Sequence, residues 1–348
     1  MPEYYVSSIN LNDASAMAGV ETLLAGEGIR RDPCLDYCCG IYDDHADLIA
    51  SGSSYGNTLR CFAVSHEHRG EGLLNLILTH LLSVQAEQGN THLFLYTKGS
   101  SAMFFQDAGF YKIAGVDDHL VFMENTRTGF SSYLSSLEKT KKDGKKIAAI
   151  VMNANPFTRG HEYLIERAAA ENDVVHLFVV SEDRSLIPFS VRKQLVLEGS
   201  ARFSNVIYHD TGSYMISNAT FPSYFQKDSV SAIIGHAKLD LFIFCEIAKR
   251  LGITARYVGS EKKSLVTGIY NEVMHRELPQ NGISCVEIPR LTCGGRAISA
   301  SDVRLSIQQN DFNHLSALIP ECTYRYLTSE EAKPVIDAVK KAVDVIHY

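Results

Sequence analysis

The sequence predicts an α/β protein in two parts, an α+β domain followed by a doubly wound parallel sheet. Three observations carry that expectation. The chain has 348 residues, which at roughly 150 residues per domain points to two domains. The segment Glu138-Lys-Thr-Lys-Lys-Asp-Gly-Lys-Lys146 holds five lysines and no apolar residue, then runs into Ile147-Ala-Ala-Ile-Val-Met152, as a solvated linker entering a buried strand does. Beyond it, short apolar runs alternate with amphipathic stretches, the pattern of parallel strands joined by crossover helices. The expected divisions are 1–138, a linker at 139–146, and 147–348.

In the first part, strands are expected at about 36–42, 46–53, 57–65 and 91–96, with helices at 12–25, 71–88 and 101–107. The helix after Gly72 is the clearest, because Leu73, Leu76, Ile77, His80, Leu81 and Val84 recur at helical spacing. In the second part the strands are 147–152, 174–180, 204–208, 230–235, 254–259 and 284–288, and the helices 161–171, 190–201, 240–251, 266–278, 299–309 and 329–346. A ligand of such a sheet belongs at the carboxyl ends of its strands.

Composition narrows the function classes. With 45% hydrophobic and 21% charged residues the chain is an ordinary globular one. Its 33 basic and 40 acidic residues give a net charge of -7, which offers no bulk attraction to nucleic acid or an anionic bilayer. The longest apolar stretches are too short or too interrupted by charge to span a membrane, and Met1-Pro2-Glu3-Tyr4-Tyr5 lacks the start of a secretory signal. None of the eight cysteines makes a Cys-x-x-Cys pair, so reduced thiols in a cytoplasmic protein are expected and no metal site.

The most informative string is Met152-Asn-Ala-Asn-Pro-Phe-Thr-Arg-Gly-His161. A strand, a tight loop with Pro156, then Gly160 and His161 at a helix start directs free amides and the helix dipole at one place, an anion site. A plain helix cap with a surface histidine would use the same residues. Thr158-Arg159-Gly160-His161 resembles the T/H-x-G-H signature of the nucleotidylyltransferase superfamily, and Ile298-Ser-Ala-Ser-Asp-Val-Arg304 resembles its second signature, I-S-x-x-x-x-R. That resemblance implies a Rossmann-like nucleotidylyltransferase domain that binds ATP with Mg²⁺. Catalytic roles would fall to Thr158, His161 and Arg304. Nucleotide contacts would fall to Asn153, Asn155, Pro156, Phe157, Gly160, Arg192, Gly259, Glu261, Ser299 and Ser301. The polar, aromatic-rich string Tyr214–Phe225 suits a pocket wall, with core filling the equal alternative.

In the first part, Arg69-Gly70-Glu71-Gly72 between a strand and a helix resembles the pyrophosphate loop of GNAT acetyltransferases, with Leu74 standing where that loop carries a small residue. This implies a GNAT-like domain whose Arg69, Gly70 and Gly72 hold the phosphates of a CoA-like group. The combination, with Val151-Met-Asn-Ala-Asn-Pro-Phe-Thr158, Ile216-Ser-x-Ala-Thr-Phe-Pro222, Arg256-Tyr-Val-Gly259 and Thr267-x-x-Tyr-Asn271, resembles the citrate lyase ligase family. Lys262-Lys263 departs from it, since Pro is expected after Glu261. The family implies an AMP-forming acid-thiol ligase in which acetate and ATP form acetyl-AMP. The acetyl group then passes to the thiol on the acyl carrier subunit of citrate lyase. Two other classes share parts of the pattern: a nucleotidylyltransferase that moves AMP to a phosphate-bearing acceptor, and an N-acetyltransferase that needs no ATP.

Overall fold

The structure, a computed structural model, describes residues 4–116, 118–182, 185–215, 229–261, 264–342 and 345. The pocket-wall string beyond Met215 and the departure at Lys262-Lys263 lie outside the described residues. The chain divides into two compact units, the first built on the residues up to Ser132 and also taking in 229–235, the second on the rest from Tyr133.

The first unit runs β1 (Val6–Ser8), α1 (Ala14–Gly26), β2 (Tyr37–Tyr42), β3 (Leu48–Tyr55), β4 (Thr58–Val64), α2 (Leu73–Glu87), β5 (Phe94–Thr97), α3 (Gly99–Asp107), β6 (Tyr111–Val116), β7 (Leu120–Glu124) and α4 (Gly129–Glu138). Its seven strands lie in the order β1-β2-β3-β4-β5-β7-β6. Every pairing is antiparallel except β4 with β5, which meet only at Thr58↔Phe94 and Leu59↔Leu95. Adjacent residues of β2 feed opposite faces, as the strand period requires. Cys38 joins Met17, Val20 and Leu24 under α1, while Cys39 joins Ile77, Leu81 and Phe105 under α2 and α3. Burial pushes the Cys39 and Cys61 thiols up to about 12, so both stay protonated core groups. This is the expected α+β arrangement, a mixed sheet with helices against both faces. The sequence does not announce β1, β7 or α4: β1 has three residues, β7 is buried at every position and so shows no alternation, and α4 is serine-rich.

The second unit adds β8 (Ile147–Met152), α5 (Arg159–Glu171), β9 (Val174–Val179), α6 (Phe189–Ser200), β10 (Val206–Asp210), α7 (Ser229–Leu251), β11 (Ala255–Gly259), α8 (Leu265–Glu277), β12 (Ser284–Ile288), the hairpin β13 (Thr292–Cys293) and β14 (Arg296–Ala297), α9 (Ala300–Gln308), α10 (Phe312–Leu318), α11 (Glu321–Leu327) and α12 (Lys333–Lys341). The sheet order is β10-β9-β8-β11-β12, all parallel. The chain leaves β8 in one direction through β9 and β10, then returns to the other side through β11 and β12. The order therefore reverses between β8 and β11, and it is at the carboxyl ends of strands flanking such a switch point that sheets of this kind take their ligands, in the crevice between the departing loops. Helices cover both faces. Ala255 and Tyr257 pack with Ile165 and Leu195 of α5 and α6, while the Arg256 side chain between them meets Asp240 and Phe244 of α7.

Two expected elements are corrected. Residues 230–235 are not a strand but the start of α7. Val-Ser-Ala-Ile-Ile-Gly reads as a short β-branched run, yet Ala232, Ile233, His236, Ala237, Leu239, Asp240, Ile243 and Phe244 are all buried at helical spacing. Continuing an existing helix costs far less than nucleating a strand's partners. The expected helix 329–346 is a single 3₁₀ turn, Glu330–Ala332, followed by α12, which ends at Lys341.

His176 and His209, on the paired strands β9 and β10, are buried and stacked, with Nδ1 of the first 2.8 Å from Nε2 of the second. Burial pushes both imidazoles down to about 4, against about 6.5 in an unfolded chain. Between those values the unfolded state binds protons that the folded state refuses, so stability is intact above about pH 6.5 and declines as pH falls toward about 4. Urea midpoints measured across this window should fall steadily; a flat profile contradicts the assignment.

Candidate functional site: two helix starts at the switch point

The loop leaving β8 is held by its carbonyls. The guanidinium of Arg192, on α6 and fully buried, donates to the Asn153 carbonyl at 2.8 Å and to its side-chain Oδ1 at 2.9 Å, and also to the carbonyls of Ile187, Val180 and Glu182. Arg304, on α9 and 2% exposed, donates to the Asn155 carbonyl, the Val345 carbonyl and the Ser301 hydroxyl. The Thr323 hydroxyl on α11 donates to the Phe157 carbonyl at 3.0 Å. Every second carbonyl, at 153, 155 and 157, is thus tied inward. Between them Ala154 takes a left-handed φ of 52°, a conformation a non-glycine residue keeps only when its surroundings over-determine it. The Phe157 ring supplies much of that constraint: it is fully buried and lies so close to Gly199 that a Cβ there would stand 2.3 Å from its Cε1. Asn155 accepts from the Ile187 amide at 3.2 Å, while its Nδ2 is buried with no acceptor among the described residues.

Thr158 then caps α5. Its Oγ1 accepts from the His161 amide at 3.3 Å, and its own amide donates to His161 Nδ1 at 3.1 Å. This is a capping box with histidine where Glu or Gln is usual, so the reciprocal acceptor carries no fixed negative charge. Burial, and then the nearby Arg290 cation, push His161 down to about 4. Because Nδ1 accepts, the proton of the neutral ring sits on Nε2, a donor. The helix start therefore offers unpaired amides, the positive end of its dipole and an imidazole N–H.

The second helix start adjoins the first. Ser299 caps α9 by accepting from the Asp302 amide at 3.1 Å, and a Cβ on Gly160 would lie 3.5 Å from the Ile298 carbonyl. The two signatures, far apart in sequence, thus meet backbone to backbone. The next strand end contributes Gly259, whose carbonyl accepts from Asn271 at 3.1 Å, and Glu261, which accepts from the Ser264 amide at 3.0 Å and pairs with Arg290.

Most of the expected residues come together here, with a changed division of labour. Arg192 and Arg304 are expected at the nucleotide, but their donors are spent on protein oxygens; they brace the loop. Pro156 and Phe157 form the buried side of the loop. Arg290, which carries no motif, is the residue the sequence hides; asking which side chains follow every strand end, rather than only the first, would find it. Arg69, Gly70 and Gly72 form a separate loop in the first unit. There Gly70 and Gly72 take φ of 88° and 80°, open only to glycine. Gly72 starts α2 without a side-chain cap, and Arg69 pairs with Glu27.

Residues 147–327 match the citrate lyase ligase C-terminal domain. A [citrate [pro-3S]-lyase] ligase of Haemophilus influenzae is 37% identical over 314 residues, covering 88% of this chain and 94% of that protein. Its counterpart from Escherichia coli K12 is 43% identical over 288 residues, covering 80% and 81%. Among solved structures, a pantothenate synthetase of Thermus thermophilus aligns over 52% of this chain and 75% of its own at 15% identity and a TM-score of 0.35.

Gly199→Ala tests how the loop is held. Its methyl must displace the Phe157 ring, a buried overpacking worth about 1–3 kcal/mol. A lowered Tm together with a displaced 153–157 loop is expected, and an unchanged loop and Tm would show that Phe157 does not set it.

Proposed function

Because the chain belongs to the citrate lyase ligase family, we propose that it uses ATP to acetylate the thiol of the CoA-like prosthetic group on the acyl carrier subunit of citrate lyase, releasing AMP and pyrophosphate. The observation that carries this reading is the pair of helix starts at the switch point, a place built for phosphate in a chain whose net charge is -7.

Acetate is a poor acyl donor, and the reaction repairs that in two steps. An acetate oxygen attacks the α-phosphorus of ATP, the new P–O bond forming as the bond to pyrophosphate breaks. The thiolate of the prosthetic group then attacks the acetyl carbonyl, and AMP leaves. No protein nucleophile is needed; positioning and charge neutralisation do most of the work. In this reading the amide of Gly160, the free amides at the start of α9 and the Nε2–H of His161 meet phosphoryl oxygens as charge grows on them, while the His161 amide stays on Thr158 Oγ1. Thr158 fixes the ring that donates, and Arg192 and Arg304 hold the loop whose amides do so. Mg²⁺ belongs to this reading as part of the substrate, entering with ATP and neutralising phosphate charge, while the groups this site offers are N–H donors and hydroxyls.

The first unit would hold the prosthetic arm. The start of α2 presents open amides, and a Cβ at either Gly70 or Gly72 would meet no atom within 4 Å, which leaves room for a pyrophosphate beside the loop. ATP already supplies the driving force for acylation, so this loop needs only to bind.

Mixing the protein with ATP, acetate and deacetylated citrate lyase should release AMP and restore lyase activity; AMP incorporated into a phosphate-bearing acceptor would favour a nucleotidylyltransferase instead. His161→Ala should slow acetate-dependent pyrophosphate release by ~10² or more with the fold kept, and an unchanged rate would remove His161 from the chemistry. Arg69→Ala should weaken use of the carrier while leaving acetyl-AMP formation from free acetate nearly intact; equal loss of both refutes the separate role of the first unit.

A further inference from the structure

In the ATP reading the phosphates call for a side-chain cation, and the two arginines nearest the loop do not supply one, since Arg192 and Arg304 are buried with their guanidinium groups on protein oxygens. Arg159, within the first signature, is turned away as well, donating to the carbonyls of Ile319 and Ser316. Arg290 differs in each respect. It follows β12, at the same carboxyl end of the sheet as the two helix starts. Its backbone is pinned there: the Arg290 amide donates to Ser260 Oγ at 3.3 Å, the Ser260 amide to the Ile288 carbonyl at 2.9 Å, and the Ile298 amide to the Leu291 carbonyl at 2.9 Å. Ile298 is the residue that Gly160 abuts, so the segment carrying Arg290 is one hydrogen bond from the junction of the two signatures.

The side chain is aimed as well as placed. Its side chain is 30% exposed, and one terminal nitrogen is held by the carboxylate of Glu261, whose side chain is only 4% exposed. Glu261 is in turn fixed by the Ser264 amide. A planar fork held on one edge by a buried carboxylate presents its remaining N–H groups in a set direction, and Arg290 Nε and the second terminal nitrogen meet no acceptor among the described residues. The Arg290 charge is close enough to bear on the His161 ring.

Resting on the ATP reading above, we propose that Arg290 is the side-chain cation that binds the phosphates of ATP in this crevice, with Glu261 as its positioning residue. Arg304, the arginine of the signature, then acts on the nucleotide only through the Asn155 carbonyl and Ser301 hydroxyl that it holds.

Direct binding of ATP and of adenosine to the full-length protein, followed by calorimetry, tests this without requiring turnover, so it stands apart from any failure of the ligase reading. Arg290→Met keeps the apolar stem and removes the charge. It should weaken ATP binding about ten- to a hundredfold, the worth of a charge-assisted hydrogen bond, and leave adenosine within about threefold. Arg290→Lys should recover part of the ATP affinity. ATP affinity unchanged in Arg290→Met, or ATP and adenosine weakened alike, would overturn the assignment, the latter because it shows a crevice-shaping role rather than a phosphate contact.

Discussion

The site depends on three hydrogen bonds that pull one loop inward. Arg192, Arg304 and Thr323 each take a carbonyl of the segment after β8, at Asn153, Asn155 and Phe157. A loop left to itself would expose a mixture of N–H and C=O groups and favour neither sign of charge. With alternate carbonyls satisfied inside the protein, the polarity offered to the crevice is that of donors. Two helix starts reinforce it, and two like dipole ends brought together are themselves unfavourable until an anion lies between them. The donors come from α6, α9 and α11, so the helices that complete the second unit are also what shape its site.

That dependence explains why the C-terminal helices matter to a crevice formed by β8 and β11. Arg304 reaches back to the Val345 carbonyl as well as forward to the Asn155 carbonyl, and Ile298, Val303, Ile307, Leu315 and Val339 form one apolar cluster beneath α9, α10 and α12. Burial of that cluster fixes where α9 begins. The start of α9 in turn fixes the second set of amides against Gly160.

Much of this is legible in the amino-acid order itself. Ile147–Met152 coincides with its expected bounds because a parallel strand buried on both faces reads as an uninterrupted apolar run; Ser284–Ile288 also coincides, although it lies at the sheet edge with Ser284 and Glu287 exposed. The switch point and both helix starts follow from strand order and from Gly, Ser and Thr at the right places. What is not legible is direction. A sequence places Arg192 and Arg304 beside the loop but does not say whether each fork faces ligand or carbonyl; that is decided by partners as remote as Val345. Arg290 escapes for the opposite reason, since it lies in no motif and its orientation comes from a single buried carboxylate. The start of α7 misleads because six residues, Val230–Gly235, are compatible with either period and the decision belongs to the helix that follows them.

The central claim is that the Gly160 amide, the His161 imidazole and the free amides at the start of α9 bind one polyphosphate. A crystal structure of the full-length protein with acetate and an ATP analogue that cannot be cleaved between the α- and β-phosphates tests it most directly. The account predicts phosphate oxygens within hydrogen-bonding distance of both helix starts and of His161 Nε2, with the Asn153–Phe157 loop unmoved. Phosphates bound away from the β8–β11 crevice, or a loop that reorganises to turn its carbonyls outward, would contradict it.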